Sequence, residues 1–157
     1  MSQLRSNLLY TPKERFIFKP SHRVFDTGIK ISPGKLYYAS SSGYWMDLWI
    51  PTTGSGWLIP DILTNPFVSF YEKIFSRRRA DPRVRVCSLM YRLKGTGIKG
   101  YIGDENYIYL PKEFNHDVEL SLYVNDYSSK WNYKNNFGKL TVTLSEVGYD
   151  ENKFLPL

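Results

Sequence analysis

Period-two alternation in the second half of the chain constrains its fold more than any other feature. In "DVELSLYVND", residues 117–126, Val118, Leu120, Leu122 and Val124 alternate with Glu119, Ser121 and Tyr123. In "KLTVTL", residues 139–144, Leu140, Val142 and Leu144 alternate with Thr141 and Thr143. A strand sends successive side chains to opposite faces, so each segment has one buried and one wet face. Such strands belong to antiparallel sheets, because parallel sheets are covered on both faces and read as continuous apolar runs. "VRVCSLMYRL" at 84–93, the turn "KGTG" and "IKGYIGDENYIYLP" at 98–111 continue the succession of strands. The 157 residues suffice for one domain with a real core. An all-β antiparallel β sandwich is therefore expected over residues 25–157. Residues 1–24 form an N-terminal arm, within which "RFIF" could be an edge strand.

Two stretches depart from this pattern. Residues 42–57, "SGYWMDLWIPTTGSGW", are rich in Gly and Trp and contain Pro51, so they read as irregular loop. Residues 66–78 read as one inserted short helix. Phe67, Phe70, Tyr71, Ile74 and Phe75 make a stripe of helical period, with Asn65 as N-cap and Pro66 as the first helical residue. Arg77, Arg78 and Arg79 oppose the negative end of its dipole, and Asp81-Pro82 stops it. The apolar stripe either packs on the sandwich or serves a membrane surface or partner. Upstream, "SPG" at 32–34 has the chemistry of a tight turn between "GIKI" and "KLYYASSSG".

Composition removes several classes of function. Cys87 is the single cysteine, so neither an intrachain disulfide nor a cysteine-based zinc site is expected. Its apolar neighbours point to a buried, inert thiol. No segment is long enough to span a membrane, and the N-terminus has no secretory signal pattern. Synthesis in a reducing cytoplasm is the expectation, with later release or surface exposure left open. The net charge of +6 is spread along the chain except at "SRRR", 76–79, so no specific nucleic-acid binding is expected. Aromatic content of 17% suits half-buried strands and shallow binding surfaces.

Between the two alternating strands lies a loop unusually rich in side-chain amides. Asn125, Asp126, Asn132, Asn135 and Asn136 fall within "YVNDYSSKWNYKNNFGKLTVTL", residues 123–144. "NNFG" alone is hairpin-turn chemistry, since Asn and Gly tolerate a left-handed backbone. The loop is too long for a minimal hairpin, however, and Asp126 stands at its start, which reads as an exposed position. One carboxylate and two adjacent amides offer hard oxygens, which suit calcium with its about six to eight oxygen ligands. Zinc would want nitrogen or sulfur, and His22 and His116 are distant in sequence.

Here the chain resembles the calcium-dependent galactophilic lectins of bacteria, the PA-I type. "VND" at 124–126 and "NNFGKLTV" at 135–142 look like that family's ion-binding motif. "DTGIKISPGKLYYASSSGYW" at 26–45 and "SLMYRLKGTGIKGYIGDENYIYLP" at 88–111 resemble its earlier strands and turns. The resemblance implies a galactose-binding-domain-like jelly roll and a calcium cofactor. It places Asp126, Asn135 and Asn136 as side-chain ligands, with backbone carbonyls from Asp47 and from Lys130 or Asn132, since the loop is longer here. Asp126 would be the only formal negative charge on the ion. Two sugar hydroxyls would replace ion-bound water while Asp126, Asn135 and Asn136 hydrogen-bond them. Tyr44, Trp45, Trp131 or Tyr133 would pack on the sugar.

The implied partner is a galactoside or related glycan, and a homo-oligomer would add avidity. The region "TGSGWLIPDILTNP" lacks the polar segment with which the family contacts galactose. Two rival readings are a structural or interaction protein on the same scaffold with a lost or repurposed site, and a basic nucleic-acid binder using Arg77–Arg79. An enzyme is not expected, because no nucleophile triad, histidine cluster or phosphate-cradling loop is present.

Overall fold

The computed structural model describes residues 8–10, 14–47, 50–58, 70, 81–126 and 133–149. In chain order the strands are β1 (Leu8–Tyr10), β2 (Glu14–Phe18), β3 (Phe25–Ile31), β4 (Leu36–Ser42), β5 (Trp45–Asp47), β6 (Ile50–Thr53) and β7 (Gly56–Trp57). They continue with β8 (Leu89–Leu93), β9 (Lys99–Tyr101), β10 (Glu105–Tyr109), β11 (Val118–Val124), β12 (Asn136–Gly138) and β13 (Leu140–Tyr149). Every pairing among them is antiparallel, as the alternation requires. No helix among the described residues is long and apolar enough to cross a membrane.

The long strand β13 organises the first sheet. β4 lies along one side of it, with β10 beyond, and β1 and β2 follow one another along its other side. The "RFIF" segment is thus a strand, and Phe18 at its end is fully buried. The second sheet runs β3-β11-β8-β9, and the third runs β12-β5-β6-β7. Leu140, Val142 and Leu144 of the first sheet and Val118, Leu120, Leu122 and Val124 of the second enter one core with Ile31, Leu89, Leu93 and Ile108. Burying each such side chain stabilises the fold by about 1.5–3 kcal/mol.

Three expectations need correction. Ser121 and Tyr123 are buried as well, at 0% and 8% exposure, so β11 does not keep a wet face. β11 is a central strand between β3 and β8, and Asp26 accepts a hydrogen bond from Ser121 Oγ at 2.8 Å. Residues 42–57 are not loop, because β5, β6 and β7 form a small meander there. A proline in a central strand argues against a strand assignment, and Pro51 sits in β6 with its ring outward and its carbonyl accepting from Leu58 N. "NNFG" is not a hairpin turn either, since Asn136–Gly138 is β12, paired with β5.

The "SPG" turn forms as read: Gly34 has φ +76°, and Lys35 N donates to Ser32 O at 3.3 Å. Most of the expected helix at 66–78, and Arg77–Arg79, lie outside the described residues. Phe70 is helical and 65% exposed.

Candidate functional site

The site is assembled where the third sheet meets the end of the β8–β11 ladder. That ladder extends beyond the strands: Asn125 N donates to Ser88 O at 2.8 Å, and Cys87 N donates to Asn125 O at 3.0 Å. Asn125 is fully buried, and its side chain is committed to holding the chain that leads into Cys87. Its Oδ1 accepts from Asp81 N at 2.8 Å. Its Nδ2 donates to the carbonyls of Asp81, Val84 and Arg85 at 2.8, 2.9 and 3.1 Å. One of the loop amides is therefore a structural staple. Cys87 adopts φ +61°, the one positive φ at a non-glycine residue among the described residues. Such a backbone persists only where its surroundings over-determine it.

The β12–β5 pairing supplies the opposite wall. Asn136 is the register partner of Asp47, which brings two residues far apart in sequence face to face. Asp47 is not limited to a backbone role. Its carboxylate oxygen, the Cys87 sulfur and an Asp126 carboxylate oxygen all lie within 4.8 Å of one another. Trp57 Nε1 donates to Asp47 Oδ2 at 2.8 Å, and Cys87 Sγ donates to the same oxygen at 3.3 Å. Asn136 Nδ2 donates to Pro20 O at 3.2 Å and reaches Asp126 Oδ2 at 3.4 Å. Both contacts are made by the amide nitrogen. Asn136 Oδ1 and Asn135 Oδ1 are buried and have no hydrogen-bond partner among the described residues.

Unpaired buried carbonyl oxygens are costly, at about 1–3 kcal/mol each, and native folds rarely keep them without a ligand. Here they accompany two carboxylates that water barely reaches, Asp47 at 7% and Asp126 at 2% exposure. Burial pushes the Asp47 carboxyl above its ordinary value, while hydrogen bonds from Cys87, Trp57 and Asn135 pull it back. Burial raises the Cys87 thiol well above its usual range, and the negative charges of Asp126 and Asp47 add to this. The Tyr133 phenol is pushed up to about 12, by burial first and then by Asp126. All three shifts disfavour negative charge, and burial is the largest cause of each. A divalent cation would relieve them. The two amide oxygens, Asp126 and Asp47 are a hard-oxygen donor set that fits calcium.

Asp126, Asn135, Asn136 and Asp47 thus converge, although Asp126 is buried and not exposed at the loop's start. Nor is it alone in charge, since the Asp47 side chain joins it. Cys87 is a buried core residue, as its apolar run implied, and its sulfur also faces the cluster. Trp45 is 1% exposed and belongs to the core, which removes it from surface contact with a ligand. Tyr133 is 7% exposed beside Asp126, and Tyr44 is 70% exposed. Lys130, Asn132 and Trp131 lie outside the described residues. Both histidines are exposed and outside the cluster. Sequence reasoning missed the Asp47 side chain, Cys87 and Trp57. Only the β5–β7 meander could have flagged the first and last, and a glycine-rich, proline-containing run concealed it.

No family model and no curated protein matches the sequence. Among solved structures, the chain is similar to the EclA N-terminal domain, described as a PllA-like lectin. The TM-score is 0.55 and the identity 19%, over 90% of this chain and 98% of that one. The likeness is one of fold, an antiparallel β sandwich.

Proposed function

We propose that this chain is a non-enzymatic, calcium-dependent carbohydrate-binding protein. The observation that carries the reading is the pair of buried amide oxygens without a partner among the described residues, Asn135 Oδ1 and Asn136 Oδ1, on side chains that also bond the Asp47 and Asp126 carboxylates. The lectin architecture of a similar solved domain supports the sugar half of the reading. Asp126, Asn135 and Asn136 hold the ion, and Asp47 adds a second negative charge from across the β5–β12 pair. Calcium, when bound, offers its remaining positions to vicinal hydroxyls of a sugar. The chain's own part is to fix the donors: Pro20 O orients the Asn136 amide, and Trp57 and Cys87 orient the Asp47 carboxylate. A galactoside or related glycan is the proposed ligand class, with exposed Tyr44 as the ring available for packing on its apolar face.

Thermal unfolding with calcium and with chelator tests the ion. A ligand at about 100 times its Kd stabilises by about 2.7 kcal/mol. For a chain of this size that raises Tm by about 5–11 °C. A glycan panel probed with and without chelator tests the sugar. An unchanged Tm in chelator, with glycan binding indifferent to calcium, would refute the proposal.

A further inference from the structure

The same pocket contains a second set of donors of different chemical character. Asp47, Cys87 and Asp126 come from three separate parts of the chain, yet their ligand atoms lie within 4.8 Å of one another, and all three residues are buried. The spacing between Cys87 Sγ and Asp47 Oδ2 is 3.3 Å, which two ligands of one small metal ion can share. Asn136 supplies an independent pointer to a ligand. It is 3% exposed, its Nδ2 touches Asp126 Oδ2, and its Oδ1 has no partner among the described residues. One sulfur, two carboxylates and one amide oxygen make a four-coordinate set. Calcium takes only the oxygens, whereas zinc-like ions select thiolate and accept carboxylate.

We infer that Cys87, Asp47 and Asp126, with Asn136 Oδ1 as the fourth donor, form a site for a thiophilic divalent ion of the zinc type. On binding, the Sγ–H proton passes to the buffer and the sulfur lone pair forms the metal bond, so no oxidant or reductant is needed. A coordinating thiol is deprotonated outright by the ion's own charge. The hydrogen bond that Cys87 now donates to Asp47 shows that the two side chains already face each other. Asp47, Asp126 and Asn136 would belong to both donor sets, so the two ions exclude one another. This exclusion, though not the thiolate site itself, rests on the calcium reading above. A zinc-type ion bound there is then an inhibitor of calcium-dependent glycan binding.

Cobalt(II) is the probe, because zinc is spectroscopically silent and a cobalt–thiolate bond gives a near-ultraviolet charge-transfer band. The metal-free full chain is titrated with cobalt chloride under reducing, oxygen-free conditions. The expected result is a band that saturates at one equivalent, disappears when zinc is added, and is absent in Cys87→Ser. Asp47→Asn should keep the band but weaken cobalt affinity by about tenfold or more. Saturating calcium should raise the cobalt needed for half-saturation by about tenfold or more, as a shared ligand requires. No band in a protein that calcium still stabilises would overturn the inference and leave the calcium reading standing. A band in a protein that calcium does not stabilise would support the thiolate site and sink the calcium reading. An undiminished band in Cys87→Ser would overturn the assignment of sulfur.

Discussion

Replacing Asn125 with alanine removes the staple behind the site, and the cost can be worked from its partners. Asp81 N loses its acceptor at 2.8 Å and becomes a buried donor with no bond from that side chain. The carbonyls of Asp81 and Arg85 fare better, since Val84 N and Ser88 N still donate to them at 3.3 Å. An orphaned buried amide costs about 1–3 kcal/mol, and the remaining lost bonds add about 1 kcal/mol. The expected loss is about 2–4 kcal/mol, or a Tm lower by about 4–16 °C. Asn125→Asp should be at least as harmful at neutral pH, because an ionised carboxylate would face three carbonyls without a proton to donate. Thermal and urea unfolding, with exposed Asn115→Ala as the control, measure the difference. The control should stay within about 0.5 kcal/mol of the parent. A loss below about 1 kcal/mol for Asn125→Ala would show that the 81–88 segment is not held by this amide.

Asp126→Asn should abolish both the calcium-induced Tm shift and glycan binding while leaving the fold intact, because the change is nearly isosteric; titration calorimetry reads both. Arg83 hydrogen bonds hold the Asp81 carboxyl down to about 2, below its ordinary 3.8. That contribution is present above pH 3.8 and is lost as pH falls towards about 2, so the Tm gap between the parent and Asp81→Asn should close across that window; a gap that stays constant would assign the ion pair no role. Changing Arg77, Arg78 and Arg79 together to Gln should leave glycan binding unaltered. A nucleic-acid binder would instead show weaker binding with a shallower salt slope.

The strands that carry the core were legible because their information is local. In β13 Leu140, Val142 and Leu144 enter the core, and their alternation needs no partner to be read. Asp126, Asn135 and Asn136 were legible for a related reason: one loop brings them close in sequence, and their oxygens announce their chemistry. Tertiary structure alone decided what stands opposite them. Asp47 reaches the site because β5 pairs with β12, and Cys87 because the β8–β11 ladder runs on past Leu89. Neither register leaves a periodic trace, since β5 and β12 are too short to alternate and Cys87 sits in an apolar run. Burial was likewise a property of the assembled sheets. Ser121, Trp45 and Asp126 have side chains compatible with a surface. Their neighbours in space, not those in sequence, exclude water from them and turn a polar loop into a pocket with two carboxylates and a thiol.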